Sequence, residues 1–174
     1  MPIPLDAIPA PLVQHVASLQ RPQAVPRGRE FFVPPQTPLC TQAESFVQAY
    51  LPKWIANHAF RTYAWAVAVA SYAGWDTGAQ AERLGFDREL IFLACALHEL
   101  GFDTREGLKS RLSLELWGAI KAREWILKQQ DVFCEAGRPP ELLLDWADEA
   151  CEAIARHTIE FRNFSKRLRV TTAC

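Results

Sequence analysis

Nine of the twelve prolines in this 174-residue chain fall within its first 38 positions, and that segregation divides the sequence into two parts with different folding options. Proline fixes φ and removes a backbone donor, so at this density neither a helix nor a central strand can form. Residues 1–38 therefore read as an arm or wrapped extension. Beyond them the pattern turns helical, and the few remaining breakers mark where one helix stops and the next begins.

Thr41-Gln42-Ala43-Glu44 reads as a capping box and predicts a first helix from about residue 42. Pro52, tolerated in a first turn, predicts a break near Leu51 and a second helix from Pro52 to about Ala73, closed by Gly74 and Gly78. Asp87 is a good N-cap, with Phe86 placed to staple onto Ile91, so a third helix should run from Arg88 to Leu100 and end at Gly101. Leu116, Ile120 and Leu127 recur at helical spacing in a fourth, from about Ser113 to Gln130. After the breaker Gly137 to Pro140, a fifth carries Leu142, Trp146, Ala150, Ala153 and His157 on one stripe. No stretch alternates with period two and no fixed-length repeat occurs. The fold class is all-α, a bundle of about five helices over residues 39–174.

Nineteen Lys and Arg against twenty Asp and Glu leave a net charge of −1, which offers no polyanion-binding surface and argues against a nucleic-acid partner. The longest apolar runs, Ile91 to Leu97 and Ala64 to Ala70, fall far short of the roughly 20 residues of a membrane span. Met1 to Asp6 lacks the basic start and apolar core of a secretory signal, so the expected location is cytoplasmic. Five cysteines without a Cys-x-x-Cys pair fit neither a disulfide framework nor a cysteine zinc site, and read as thiols in a reducing compartment.

Three of the four histidines, His58, His98 and His157, lie on three different predicted helices, each among bulky apolar neighbours. Trp54, His58, Arg61 and Trp65 are spaced by four, three and four, so they share one helix face, which is expected to look inward. His98 and Glu99 follow seven apolar residues, where an ionised carboxylate is costly without a partner. Glu99 also sits in the last turn, where the helix dipole opposes a negative charge. A divalent metal answers both objections, because imidazole nitrogen and carboxylate oxygen suit zinc, iron or manganese. The His-Glu-x-x-His zinc motif does not apply, since position 102 is Phe102. The plainer readings stay open at this level: core histidines bonded to backbone carbonyls, and a helix end that turns Glu99 to solvent.

Four segments taken together are more specific than any one of them. Asn57-His58-Ala59-Phe60-Arg61-Thr62-Tyr63, Ala96-Leu97-His98-Glu99-Leu100-Gly101-Phe102-Asp103, Leu112-Ser113-Leu114-Glu115-Leu116-Trp117-Gly118-Ala119 and Ala153-Ile154-Ala155-Arg156-His157-Thr158 resemble, in order and spacing, the HD-domain superfamily of metal-dependent hydrolases. Within it they are most similar to the fungal cyanamide hydratase branch. The resemblance covers about residues 41–160. It implies an all-helical domain that binds one divalent metal, zinc in this branch with iron or manganese as alternatives, with His58, His98 and Glu99 at ligand positions. It further implies a small-molecule substrate, cyanamide hydrated to urea. His157, Arg61 and Glu115 would be the catalytic positions, with proton transfer at His157, and Asn57 and Thr158 would line the substrate pocket; Trp65, which is not part of the resemblance, is added to that lining as a tryptophan on the face expected to look inward. A homo-oligomer is compatible with this picture.

The chain departs from the family pattern at three points. Glu99 stands where the family has Asp, and Ala59 where it has Ser. The family's final Asp ligand lies on a helix after the His-Thr pair, and no acidic residue follows Glu160 here, so the domain reads as a truncated one lacking the family's last helices. Glu160, three residues past His157, is the candidate substitute. These departures keep two alternatives in view: a non-catalytic protein with an incomplete metal site, and another hydrolase of this superfamily acting on a small metabolite or phosphoester.

Overall fold

The computed structural model describes residues 28–102 and 111–157. They form seven α-helices with no strand among them: α1 Pro38–Tyr50, α2 Lys53–Tyr72, α3 Gly78–Leu84, α4 Arg88–Leu97, α5 Leu114–Leu127, α6 Gln130–Glu135 and α7 Pro140–Arg156. Short 3-10 turns occupy Arg29–Phe32 and Leu100–Phe102. The all-α class is as expected. Two helices exceed the expected five: α3 and α6 are single short segments whose few residues carry too little periodicity to be read from sequence.

The caps explain where the boundaries fall. Asp87 accepts from the amides of Glu89 and Leu90 and starts α4, and Ser113 accepts from the amide of Leu116 and starts α5. The capping box at Thr41 is not used. Thr37 is the N-cap of α1, accepting from the amide of Cys40 at 3.2 Å, and Pro38 takes the first helical position. Thr41 instead donates its hydroxyl to the carbonyl of Thr37. Gly74 at φ 69° closes α2, whereas Gly78 opens α3 rather than ending its predecessor.

Helix α4 is the centre of the molecule. Its run from Ile91 to Leu97 is buried on every side, and α1, α2, α5 and α7 all pack against it. Helix α7 turns Leu143, Trp146, Ala147, Ala150, Ala153 and Ile154 inward, in keeping with the predicted stripe. Its main neighbour is α5, whose buried residues are Gly118, Ala119, Ala122 and Ile126; Leu116 is left exposed. Small side chains among these let neighbouring backbones come close to α5.

The described end of the proline-rich segment packs on this core. Phe31 and Phe32 rest against it, and Arg88 donates to the Tyr63 hydroxyl and to the Phe31 carbonyl while its guanidinium covers the Phe31 ring. Residues 1–27 of the expected arm lie outside the described residues.

Candidate metal centre

Helix α2 presents the first histidine, and here the expected phase is wrong. The buried face of α2 is Ile55, Ala56, Ala59, Thr62, Tyr63, Ala66, Val67 and Ala70. Trp54, His58, Arg61 and Trp65 do share a face, but it is the outer one, with both tryptophans 68% exposed. The face that α4 covers mixes alanines with bulky groups, Tyr63 packing edge to face on Phe92, so the burial of a face is decided by the neighbouring helix and not by the size of its residues. His58 at the end of this edge reaches α4 with its imidazole half exposed.

Helix α4 supplies the rest. His98 is its C-cap residue and is buried, and Nδ1 lies 2.7 Å from the carbonyl oxygen of Cys95. A carbonyl oxygen only accepts, so Nδ1 carries the hydrogen and Nε2 is left with its lone pair. Glu99 follows directly, mostly buried, and turns its carboxylate back: Oε1 lies 3.0 Å from His98 Nε2 and 3.2 Å from His58 Nε2. The ligand atoms of His58, His98 and Glu99 all fall within 4.8 Å of one another. Burial raises the Glu99 carboxyl, but when the imidazoles are protonated the hydrogen bond that His98 Nε2 then donates and the charges of His98, His58 and His157 outweigh it and hold the group below its usual range.

These three residues fit a divalent cation. A carboxylate oxygen facing an imidazole lone pair at 3.0 Å is repulsive unless a proton or a cation stands between them. With metal–ligand bonds of about 2.0–2.2 Å, two donors on one ion lie about 2.8–3.6 Å apart from octahedral to tetrahedral angles, a range that includes the 3.0 Å between His98 Nε2 and Glu99 Oε1. Three protein donors, with His58 at the open side, match a site that keeps a coordination position for a small molecule.

His157 ends α7 as His98 ends α4. Both are C-cap residues of near-identical backbone geometry, and both set Nδ1 on the carbonyl oxygen three residues earlier, for His157 that of Ile154 at 2.6 Å. The two rings pack edge to face with centroids 5.1 Å apart. His157 thus stands beside His98, outside the cluster of three donors.

The other expected site residues are more scattered. Asn57 and Arg61 are exposed on the outer face of α2 near His58, and Trp65 lies a further turn along, so it is not an inward pocket wall. Glu115 is half-buried in the first turn of α5. Thr158 and Glu160 lie outside the described residues. Sequence reasoning missed Thr62, whose hydroxyl donates to the His58 carbonyl at 3.1 Å, and the carbonyls of Cys95 and Ile154 that orient the two imidazoles. The signal was their spacing, three residues before each histidine.

No family model matches the chain. Two cyanamide hydratases of Saccharomyces cerevisiae are each 26% identical to it over 134 residues. The chain is similar to cyanamide hydratases. The matched region covers 76% of this chain and 51% of each relative, so the chain spans about half the length of the curated relatives it matches. No helix among the described residues is long and apolar enough to cross a membrane.

Proposed function

We propose that this chain is an HD-type, metal-dependent hydratase that adds water to cyanamide or a similarly small nitrile. The observation that carries the reading is the convergence of His58 Nε2 and His98 Nε2 on Glu99 Oε1, in a chain similar to proteins named cyanamide hydratase. Zinc suits two imidazoles and one carboxylate, with iron and manganese as the other candidates. Such an ion, when bound, supplies a nucleophilic hydroxide near neutral pH and polarises a nitrile.

The protein's own contribution is placement and proton handling. The Cys95 carbonyl holds the His98 ring so that Nε2 faces the centre, and the Glu99 carboxylate offsets part of a dication's charge. Water oxygen bonds to the nitrile carbon, its proton passes to the nitrile nitrogen, and the product rearranges to urea. His157, with Nδ1 committed to Ile154, has Nε2 to take up and return that proton. Arg61 and Glu115 are proposed to assist, with Asn57, Trp65 and Thr158 at the substrate's edge.

The test is metal content by elemental mass spectrometry on tag-free protein, run beside a urea-release assay with cyanamide. Near-stoichiometric metal with urea formation is the expected result. A folded protein that takes up no zinc, iron or manganese and releases no urea would overturn the reading.

A further inference from the structure

Outside the donor cluster, a second contact joins the same two segments of chain. Trp54 of α2 and Phe102 of the turn after Glu99 pack edge to face, with ring centroids 6.3 Å apart and planes at 75°. Each ring stands one turn from a donor. Trp54 precedes His58 by four residues, so their side chains are neighbours on one helix face. The Phe102 amide donates to the Glu99 carbonyl at 3.0 Å and closes a 3-10 turn, in which side chains three residues apart eclipse, so Phe102 lies over Glu99. The aromatic contact and the 3.2 Å approach of His58 to Glu99 are two parallel links between the same pieces of backbone.

Core burial does not account for the outer link. Tyr63 on Phe92 and Phe133 on Trp146 are edge-to-face pairs of the core, whereas Trp54 is 68% exposed and Phe102 38%. The first turn of α2 also lacks a side-chain cap bond, because its N-cap is Pro52. His58 follows one turn later with its imidazole half exposed. A site of this kind needs its donors held within about 0.5 Å, which an uncapped helix end does not secure by itself.

We infer that Trp54 and Phe102 are positioning residues for the metal centre: their contact sets the separation between the helix that carries His58 and the turn that carries Glu99. This rests on the metal-dependent reading and adds to it the residues outside the donor set that keep its exposed ligand in place. Because both rings lie at the surface, their removal should change metal affinity far more than stability.

The experiment titrates the full chain with zinc alone, in competition with a chelating dye. The variants are Trp54→Ala, Trp54→Phe, Phe102→Ala and the double alanine variant, with Tyr72→Ala, an exposed aromatic at the far end of α2, as the control. NMR of the imidazole nitrogens is the second readout, since it reports which rings bind the metal. Each single alanine variant should weaken zinc binding about tenfold, the lower end of the range of about 10–100-fold for groups that orient a ligand. Trp54→Phe, which keeps a ring, should recover most of the loss. The double variant should be no weaker than the weaker single, as one shared contact requires. In the alanine variants His58 should lose its zinc-bound shift while His98 keeps it, and Tyr72→Ala should match the wild type. Unchanged affinity in both alanine variants, additive losses in the double variant, simultaneous release of both histidines or equal weakening by Tyr72→Ala overturns the positioning role and leaves the metal centre standing. A folded wild type that binds no zinc overturns both. Should Trp54→Ala fail to fold, Phe102→Ala and its imidazole spectrum decide the matter.

Discussion

Gly101 and Gly118 meet backbone to backbone: a Cβ on Gly118 would stand 2.9 Å from the Gly101 nitrogen and 3.1 Å from the His98 carbonyl oxygen. A Cβ on Gly101 would stand 2.0 Å from the carbonyl oxygen of Leu114. The start of α5 is thereby pressed against the turn that follows Glu99, so a close approach between two glycines holds His98 and Glu99 in register with the rest of the bundle.

Gly118→Ala sets helix propensity against this contact. Alanine favours an interior helix position by about 1 kcal/mol, while overpacking costs about 1–3 kcal/mol. Because the obstructing atoms are backbone, the clash should prevail and lower the urea midpoint. Metal affinity should fall about tenfold as the turn shifts. Gly101→Ala, with the shorter contact, should be the more damaging of the two in the same denaturation series.

Glu99 reaches both imidazoles with the length of its own side chain. Glu99→Asp should withdraw the carboxylate and weaken zinc binding by about tenfold or more, read by competition with a chelating dye. A gain in affinity would show that the shorter acid is the better ligand here. His58→Ala and His98→Ala should both abolish retention, yet differ in stability. The half-exposed His58 should cost within about 0.5 kcal/mol, and the buried His98, which leaves the Cys95 carbonyl without its donor, about 1–3 kcal/mol.

Glu89 is a buried carboxylate at only 5% exposure. It accepts from the Thr37 hydroxyl at 2.7 Å and from Arg138, whose guanidinium also lies over the rings of Phe133 and Trp146. These contacts tie the α6–α7 connection to the starts of α1 and α4. Arg138→Ala should leave the carboxylate uncompensated and cost about 3–5 kcal/mol in chemical denaturation. Replacing both Glu89 and Arg138 by methionine should recover a large part of that loss.

Cys40 is buried beneath the Glu89 contact, and burial pushes its thiol from 9.0 to about 12. The folded protein therefore holds this proton more tightly than the unfolded chain does. The associated stability is present in full below pH 9 and is lost as pH rises toward 12. At pH 8 Cys40 should resist alkylation by iodoacetamide for as long as the fold persists, while the half-buried Cys134 reacts first; mass mapping of modified peptides reads the order. Early labelling of Cys40 would contradict its placement.

Local signals were legible wherever sequence neighbours decide the outcome. Asp87 caps its helix as read, and the fourth helix starts at Ser113 as read, because an N-cap bond spans two or three residues and needs no distant partner. Thr37 escaped notice because Pro38 follows it directly, and a proline at the end of a proline-rich stretch reads as more of the same rather than as a first helical turn. The outer face of α2 was misassigned because tryptophans outweigh alanines in hydrophobic area, although the neighbouring helix decides which face is buried.

By itself, then, the sequence determined the helical class, the position of most helix ends and the chemical types that a metal would want, since periodicity, caps and donor atoms are properties of short stretches of chain. Only the tertiary structure decided that His58 comes from the outer edge of α2 to meet His98 and Glu99, and that His157 stands beside His98 rather than among the donors. The physical reason is that helical periodicity sets which residues share a face, while the packing of one helix against another sets which face is buried and which side chains from distant helices converge.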